Sequence, residues 1–218
     1  MKATTTNRAW KQLCLLFAFL SYGAYGQNTS SCFSELSFKE LNQKLQEIKK
    51  CLEVVSCQWT PYQNAEIFNR LSTLSDIIQK QQSAELLSLL PENCSAPAVP
   101  KDGGLLCVST KNKIYCKPVC NAGYDFNFIR RSRLYEECSF ATQHKWTTQF
   151  IGGNRLVDCS ESHISVAGAP SAYFHEGKDC HKTKSNEPLV ANITNIFKSE
   201  LVKAGITQFI KSSGLLCG

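Results

Sequence analysis

The chain has 218 residues, of which 43% are hydrophobic and 19% charged, with 12 cysteines and a formal net charge of +6. This composition excludes a disordered tail and a multispan membrane protein. Residues 1–26 read as a removable leader with three cations (Lys2, Arg8, Lys11) and no acid, so the remaining 192 residues carry only +3, too weak a balance to imply nucleic acid.

The leader follows a secretory pattern: cations, an apolar run from Leu13 to Leu20, then small residues at Ala24 and Gly26. The run is too short to span a bilayer, so a secreted, extracellular product with no membrane span is expected. Asn-x-Ser/Thr triplets at Asn28, Asn93 and Asn192 suit glycosylation in that compartment. Cys14 leaves with the leader, and eleven cysteines remain, at 32, 51, 57, 94, 107, 116, 120, 138, 159, 180 and 217. In an oxidising compartment an odd count implies a free thiol or a bond to another chain. Zinc is the competing use, because Cys116 and Cys120 have a permitted ligand spacing and histidines stand at 144, 163, 175 and 181. Export favours disulfides over thiolate ligands, and the histidines form no tight pair, so no metal or cofactor is expected.

Residues 27–91 read as a helical hairpin. Phe38, Leu41, Leu45, Ile48, Leu52 and Val55 repeat in steps of three and four, a heptad seam, and Ser37 with Glu40 forms a capping box at its start. A second helix begins with Thr60 as cap and Pro61 at the first helical position, and runs through Ile67, Leu71, Leu74 and Ile78 toward Leu90, where Pro91 stops it. Fewer than three heptads favour packing within an antiparallel hairpin over a coiled coil between chains. Cys51 and Cys57 sit at the turn end and can bridge locally. About 28 Å of helix separates Cys32 from Cys51, against a limit of roughly 7 Å between bridged α-carbons. Cys32 is therefore left to find the C-terminal tail or a second chain, the latter giving a disulfide-linked homodimer.

Residues 94–159 carry short apolar stretches divided by turn residues, the pattern of small β-strands. Pro97, Pro100, Gly103 and Gly104 suggest an extended entry and a tight turn. Cys94 followed by those prolines, Cys120 with Gly123-Tyr124-x-Phe126, then Cys138, Trp146 and Cys159 make this stretch of about 66 residues similar to the sushi, or complement control protein, module. The resemblance implies a small β fold with Cys94 paired to Cys138 and Cys120 to Cys159, and with Trp146 packed between the bridges. It also implies binding rather than chemistry. Cys107 and Cys116 are additional to the pattern, most simply as a third, local bridge, and Gly152-Gly153 lies in an added loop. A module this small buries too little apolar surface to stand without crosslinks.

Arg130, Arg131 and Arg133 form a basic-basic-x-basic run that can grip a sulfated glycan through guanidinium forks, with Lys111, Lys113 and Lys117 adding charge if the strands bring them to one face. The competing readings are a solvated loop edge and a convertase site whose products would stay joined between Cys120 and Cys138. No catalytic constellation stands out: Ser160 and Ser162 near His163 form no nucleophile elbow, and Asp179-Cys180-His181 reads as a disulfide cysteine with polar neighbours.

Beyond Cys159, residues 160–185 read as loop or irregular strand, and Pro188 opens a helix over 188–204 through Ile193, Ile196, Phe197 and Leu201, halted near Gly205. Ile206, Phe209 and Ile210 are expected to dock elsewhere on the chain, the alternative of a membrane-surface role being disfavoured by the few cations on the polar face of the helix. Cys180 with Cys217 would close this region; Cys32 with Cys180 or Cys217 is the alternative. The expectation is thus an α+β chain: a signal peptide at 1–26, a helical hairpin at 27–91, a disulfide-rich sushi-like β module at 94–159 and a mixed extension at 160–218. Its expected role is that of a secreted, non-enzymatic glycoprotein for binding or adhesion, in a matrix setting, with an extracellular protein or sulfated glycan as partner. The alternative is a soluble signalling ligand or immune regulator working as a disulfide-linked oligomer.

Overall fold

The fold is α+β, with helices, antiparallel sheets and, among the described residues, four disulfides. A computed structural model describes residues 37–148 and 154–218, so the leader, Asn28 and Cys32 lie outside the described residues. Two compact units divide the chain between Thr73 and Leu74.

In the first unit, α1 spans Phe38–Val55 and starts at a capping box: the Ser37 hydroxyl accepts from the Glu40 amide, and the Glu40 carboxylate accepts from the Ser37 amide at 2.9 Å. A 3-10 turn over Ser56–Gln58 leads to α2 (Pro61–Leu89), where Thr60 and Gln63 exchange the same kind of bonds. The hairpin was expected to hide the heptad seam between its arms. The seam is instead open: no residue of α1 is buried, and Phe38, Leu41, Leu45 and Ile48 are 84%, 43%, 49% and 42% exposed. Tyr62, Phe68 and Leu71 at the start of α2 are exposed as well. The local bridge between Cys51 and Cys57 is also absent. Helical backbone is nearly continuous between them, which sets them about 120° apart around the axis and about 9 Å apart along it, too far for a disulfide. The Cys57 thiol donates to the Val54 carbonyl at 3.5 Å.

The second unit is built on a four-stranded antiparallel sheet in the order β4-β2-β1-β6, from β1 (Gly103–Ser109), β2 (Lys113–Cys120), β4 (Glu136–Ser139) and β6 (Ser212–Cys217). A two-stranded sheet joins β3 (Tyr124–Phe126) to β5 (Cys159–Glu161). Both faces of the large sheet are covered, so β1 and nearly all of β2 are buried and the period-two alternation sorts residues between two cores. Leu105, Cys107, Ile114, Cys116 and Leu216 meet Leu86 near the end of α2, together with Trp146. Leu106, Val108, Tyr115, Val119 and Leu215 meet Phe197 and Leu201 of α4 (Glu187–Lys203), which follows the short α3 (Cys180–Lys184).

The expected boundary at Cys159 runs through this unit, because β6 is hydrogen-bonded to β1 along its length. Bridges join Cys94 to Cys138, Cys107 to Cys116, Cys120 to Cys159 and Cys180 to Cys217. Cys107 and Cys116 are direct partners on β1 and β2, with α-carbons 4.1 Å apart. The turn expected at Gly103-Gly104 is displaced to Lys101-Asp102, and the glycines lie inside β1. A β-carbon at Gly104 would stand 2.5 Å from the Cys180 sulfur and 2.6 Å from the Leu216 carbonyl, and one at Gly103 would stand 2.8 Å from the Cys159 sulfur. Two disulfides thus pack against bare backbone. Gly205, at φ 82°, ends α4 in a Schellman arrangement, with its amide on the Val202 carbonyl and the Ile206 amide on the Leu201 carbonyl.

Candidate anion-binding face

The Arg130–Arg133 run is not a surface patch. Arg130 is 2% exposed and donates to the carboxylate of Glu136, a fully buried residue of β4, at 2.9 Å. Its guanidinium lies near the rings of Phe126 and Phe128. Arg133 donates to the other Glu136 oxygen at 2.6 Å, and the Thr147 hydroxyl donates to that same oxygen at 3.0 Å. A buried carboxylate needs this company, since removing it from water is costly unless its lone pairs are satisfied. Burial pushes the Arg130 pKa down, opposed by the Glu136 charge beside it. Of the three arginines, Arg131 alone is well exposed. The run is therefore the loop's internal anchor, and it presents no row of guanidinium forks to a glycan or to a convertase.

Lys117 is corrected for the same reason. It points from β2 into the core beneath α4, 1% exposed, where it donates to Glu200 at 2.5 Å and to the Ser171 hydroxyl at 2.7 Å. Ser171 in turn donates to the second Glu200 oxygen. Desolvation pulls the Lys117 pKa down against the pull of Glu200.

Lys111 and Lys113 stand at the β1–β2 turn, where the Thr110 amide donates to the Lys113 carbonyl at 2.8 Å and leaves Lys111-Asn112 as a two-residue tip. The chain returns beside this tip just before β6. The Lys211 amide donates to the Ser109 carbonyl at 2.8 Å, and the Ser109 and Ser212 hydroxyls are 2.6 Å apart. These bonds bring Lys111, Lys113 and Lys211 around one open depression of about 580 Å³, completed by Thr110, Asn112, Gln208 and Phe209. Lys113 is held in its charged form by a 2.9 Å bond to Glu137, which raises its pKa. Lys111 and Lys211 are exposed. Phe209, expected to dock with Ile206 and Ile210, is 87% exposed at the rim, whereas its two neighbours are half-buried against the α4 core. Two exposed lysines, a third whose ammonium is shared with Glu137, two amide side chains and an open aromatic face can together hold an acidic, ring-shaped ligand.

Sequence reading missed Lys211 and Gln208 and gave Phe209 a docking role, because only the β1–β6 pairing brings them to the tip and no local pattern announces it. A second depression, of about 300 Å³, is lined by Gln79, Gln82, Leu86, Val99 and Leu216, but Gln82 already accepts from the Cys217 amide and Lys184.

The remaining candidates take structural places. Asn93 and Asn192 are both exposed. Cys116 and Cys120 belong to different bridges, and no group of three or more metal-ligating side chains occurs among the described residues. The Ser160 hydroxyl donates to Asn127 and the Ser162 hydroxyl to the Ile164 carbonyl. Asp179 caps α3 through the Lys182 amide, and that bond holds its carboxyl below the usual range. No helix of the described residues is long and apolar enough to cross a membrane. No protein-family model, curated protein or solved structure matches this chain.

Proposed function

We propose that this chain is an extracellular, non-enzymatic binding protein whose hairpin-tip depression takes a sulfated or carboxylated glycan. The observation that carries the reading is the convergence of Lys111, Lys113 and Lys211 beside the bare ring of Phe209. Sulfate or carboxylate groups would pair with the ammonium groups while the apolar face of a sugar ring lies on the phenyl ring. Four disulfides in a unit of this size fit an oxidising, extracellular setting. The bridges Cys94–Cys138 and Cys120–Cys159, with Trp146 in the core beside the first, support kinship of residues 94–159 with the sushi family. In that reading, α4 and β6 are additions that cover one sheet face and extend one edge.

The test is elution from heparin resin. The Lys111→Ala/Lys211→Ala variant is expected to leave at clearly lower salt than the unmodified protein, Phe209→Ala at slightly lower salt, and Arg131→Ala close to the unmodified position. Elution of the double lysine variant at an unchanged salt concentration would remove the site from consideration.

A further inference from the structure

We propose that α1 is a self-association surface, on which a second copy of α1 lies antiparallel. The six seam residues divide into alternating positions, Phe38, Leu45 and Leu52 on one row and Leu41, Ile48 and Val55 on the other, the arrangement that meshes between two helices. The chain leaves this stripe uncovered over Phe38 to Ile48. Its ends are set by a capping box on one side and a 3-10 turn on the other, so the stripe is a defined 18-residue face, about 27 Å long.

The flanking charges admit a second copy in one direction only. In a parallel pair, Lys44 of each copy would face Lys49 of the other, two like-charge contacts along one short interface. In an antiparallel pair, Lys49 faces Asn42 of the second copy and Lys44 faces its Cys51, so no like charges meet. The apolar layers also close in that direction: the large Phe38 meets the small Val55, Leu41 meets Leu52, and Leu45 meets Ile48, each layer occurring twice about a two-fold axis. Glu40, Glu47 and Glu53 fall on the outer positions and stay in water. A single seam of this length lies at the low end of specific interfaces, so the pair is reversible and depends on concentration.

Sedimentation equilibrium of the full chain, from low micromolar to several hundred micromolar, tests this with and without Cys32, Cys51 and Cys57 replaced by serine, the four disulfides being left intact. A monomer–dimer equilibrium that persists without those three thiols is expected. Leu45→Glu places a carboxylate in two adjoining central layers and is expected to leave monomer throughout the range. No α1 residue is buried in the monomer, so the circular dichroism of the variant's folded unit should be unchanged. Asn42→Glu gives two new contacts with Lys49 in the antiparallel pair and is expected to tighten it several-fold. Lys49→Glu would tighten a parallel pair instead. A wild-type monomer at every concentration overturns the proposal, as does a dimer indifferent to Leu45→Glu, a dimer lost when Cys32, Cys51 and Cys57 alone are replaced by serine, or tightening by Lys49→Glu in place of Asn42→Glu.

Discussion

The α1 seam and strand β1 are both apolar runs of clear periodicity, yet one is open to water and the other is sealed on both sides. In β1 every residue is buried: alternate side chains enter opposite cores, and a disulfide ties it across to β2. In α1 no residue is buried. The difference teaches that periodicity identifies an element and the face it will offer, while the cover for that face depends on distant segments. For β1 the cover comes from the end of α2, Trp146 and α4; along the α1 seam only Leu52 and Val55 are half-buried, and Phe38 to Ile48 stay exposed.

Perturbing the sealed unit should therefore be expensive and perturbing the open helix cheap. The largest class of effect is expected from removing a long-range crosslink, for example Cys180–Cys217, which spans 37 residues. The Cys180→Ala/Cys217→Ala variant should lose about 4 kcal/mol, measured by denaturant unfolding with near-ultraviolet circular dichroism. Arg130→Ala should cost about 3 kcal/mol in the same assay, because it leaves Glu136 buried with a single cation, while heparin elution stays near that of the unmodified protein. A variant that binds heparin weakly yet melts normally would return Arg130 to the surface.

The third perturbation is pH. Asp125 is partly desolvated, which raises its pKa, but bonds from Tyr173 and from the amides of Ala167, Val166 and Phe126 outweigh this and hold it below the usual range. Desolvation and the same Asp125 contact push Tyr173 up to about 12. The lowered acid contributes stability above its unfolded pKa, and this is lost as pH falls through the folded value, below about 4. The raised phenol contributes stability below about 10, and this is lost as pH climbs toward 12. Thermal melts across pH should fall at both ends. Tyr173→Phe should soften the alkaline fall without abolishing it, because burial also raises Tyr115 and Tyr135. The smallest effect belongs to Ile48→Ala in dilute solution, within about 0.5 kcal/mol of zero, whereas Ile114→Ala should cost about 3 kcal/mol. Similar costs at the two sites would erase the contrast.

Local chemistry was legible in the sequence. Ser37 with Glu40, Thr60 with Pro61, and Pro188 with Gly205 mark helix ends because capping bonds and left-handed backbone involve residues only a few positions apart. The long-range arrangement was not. Gly103 and Gly104 look like turn residues, and only the packed sulfurs of Cys159 and Cys180 reveal why they lack side chains. The arginine run looks like surface because no sequence rule shows Glu136 buried beneath it. The lysine depression was half visible, in Lys111 and Lys113, and its other half arrives with β6.

Strand β6 also sets a timetable. Ser109 and Ser212 are partners 103 residues apart, and at ordinary synthesis rates β1 must wait roughly 5–20 s for its neighbour to emerge. Cys180 waits through the last third of that interval for Cys217. A cell making this protein must shelter a bare strand edge and a lone nucleophilic sulfur while the intervening chain is translated, so its yield should depend on the chaperones and oxidases that meet the nascent polypeptide.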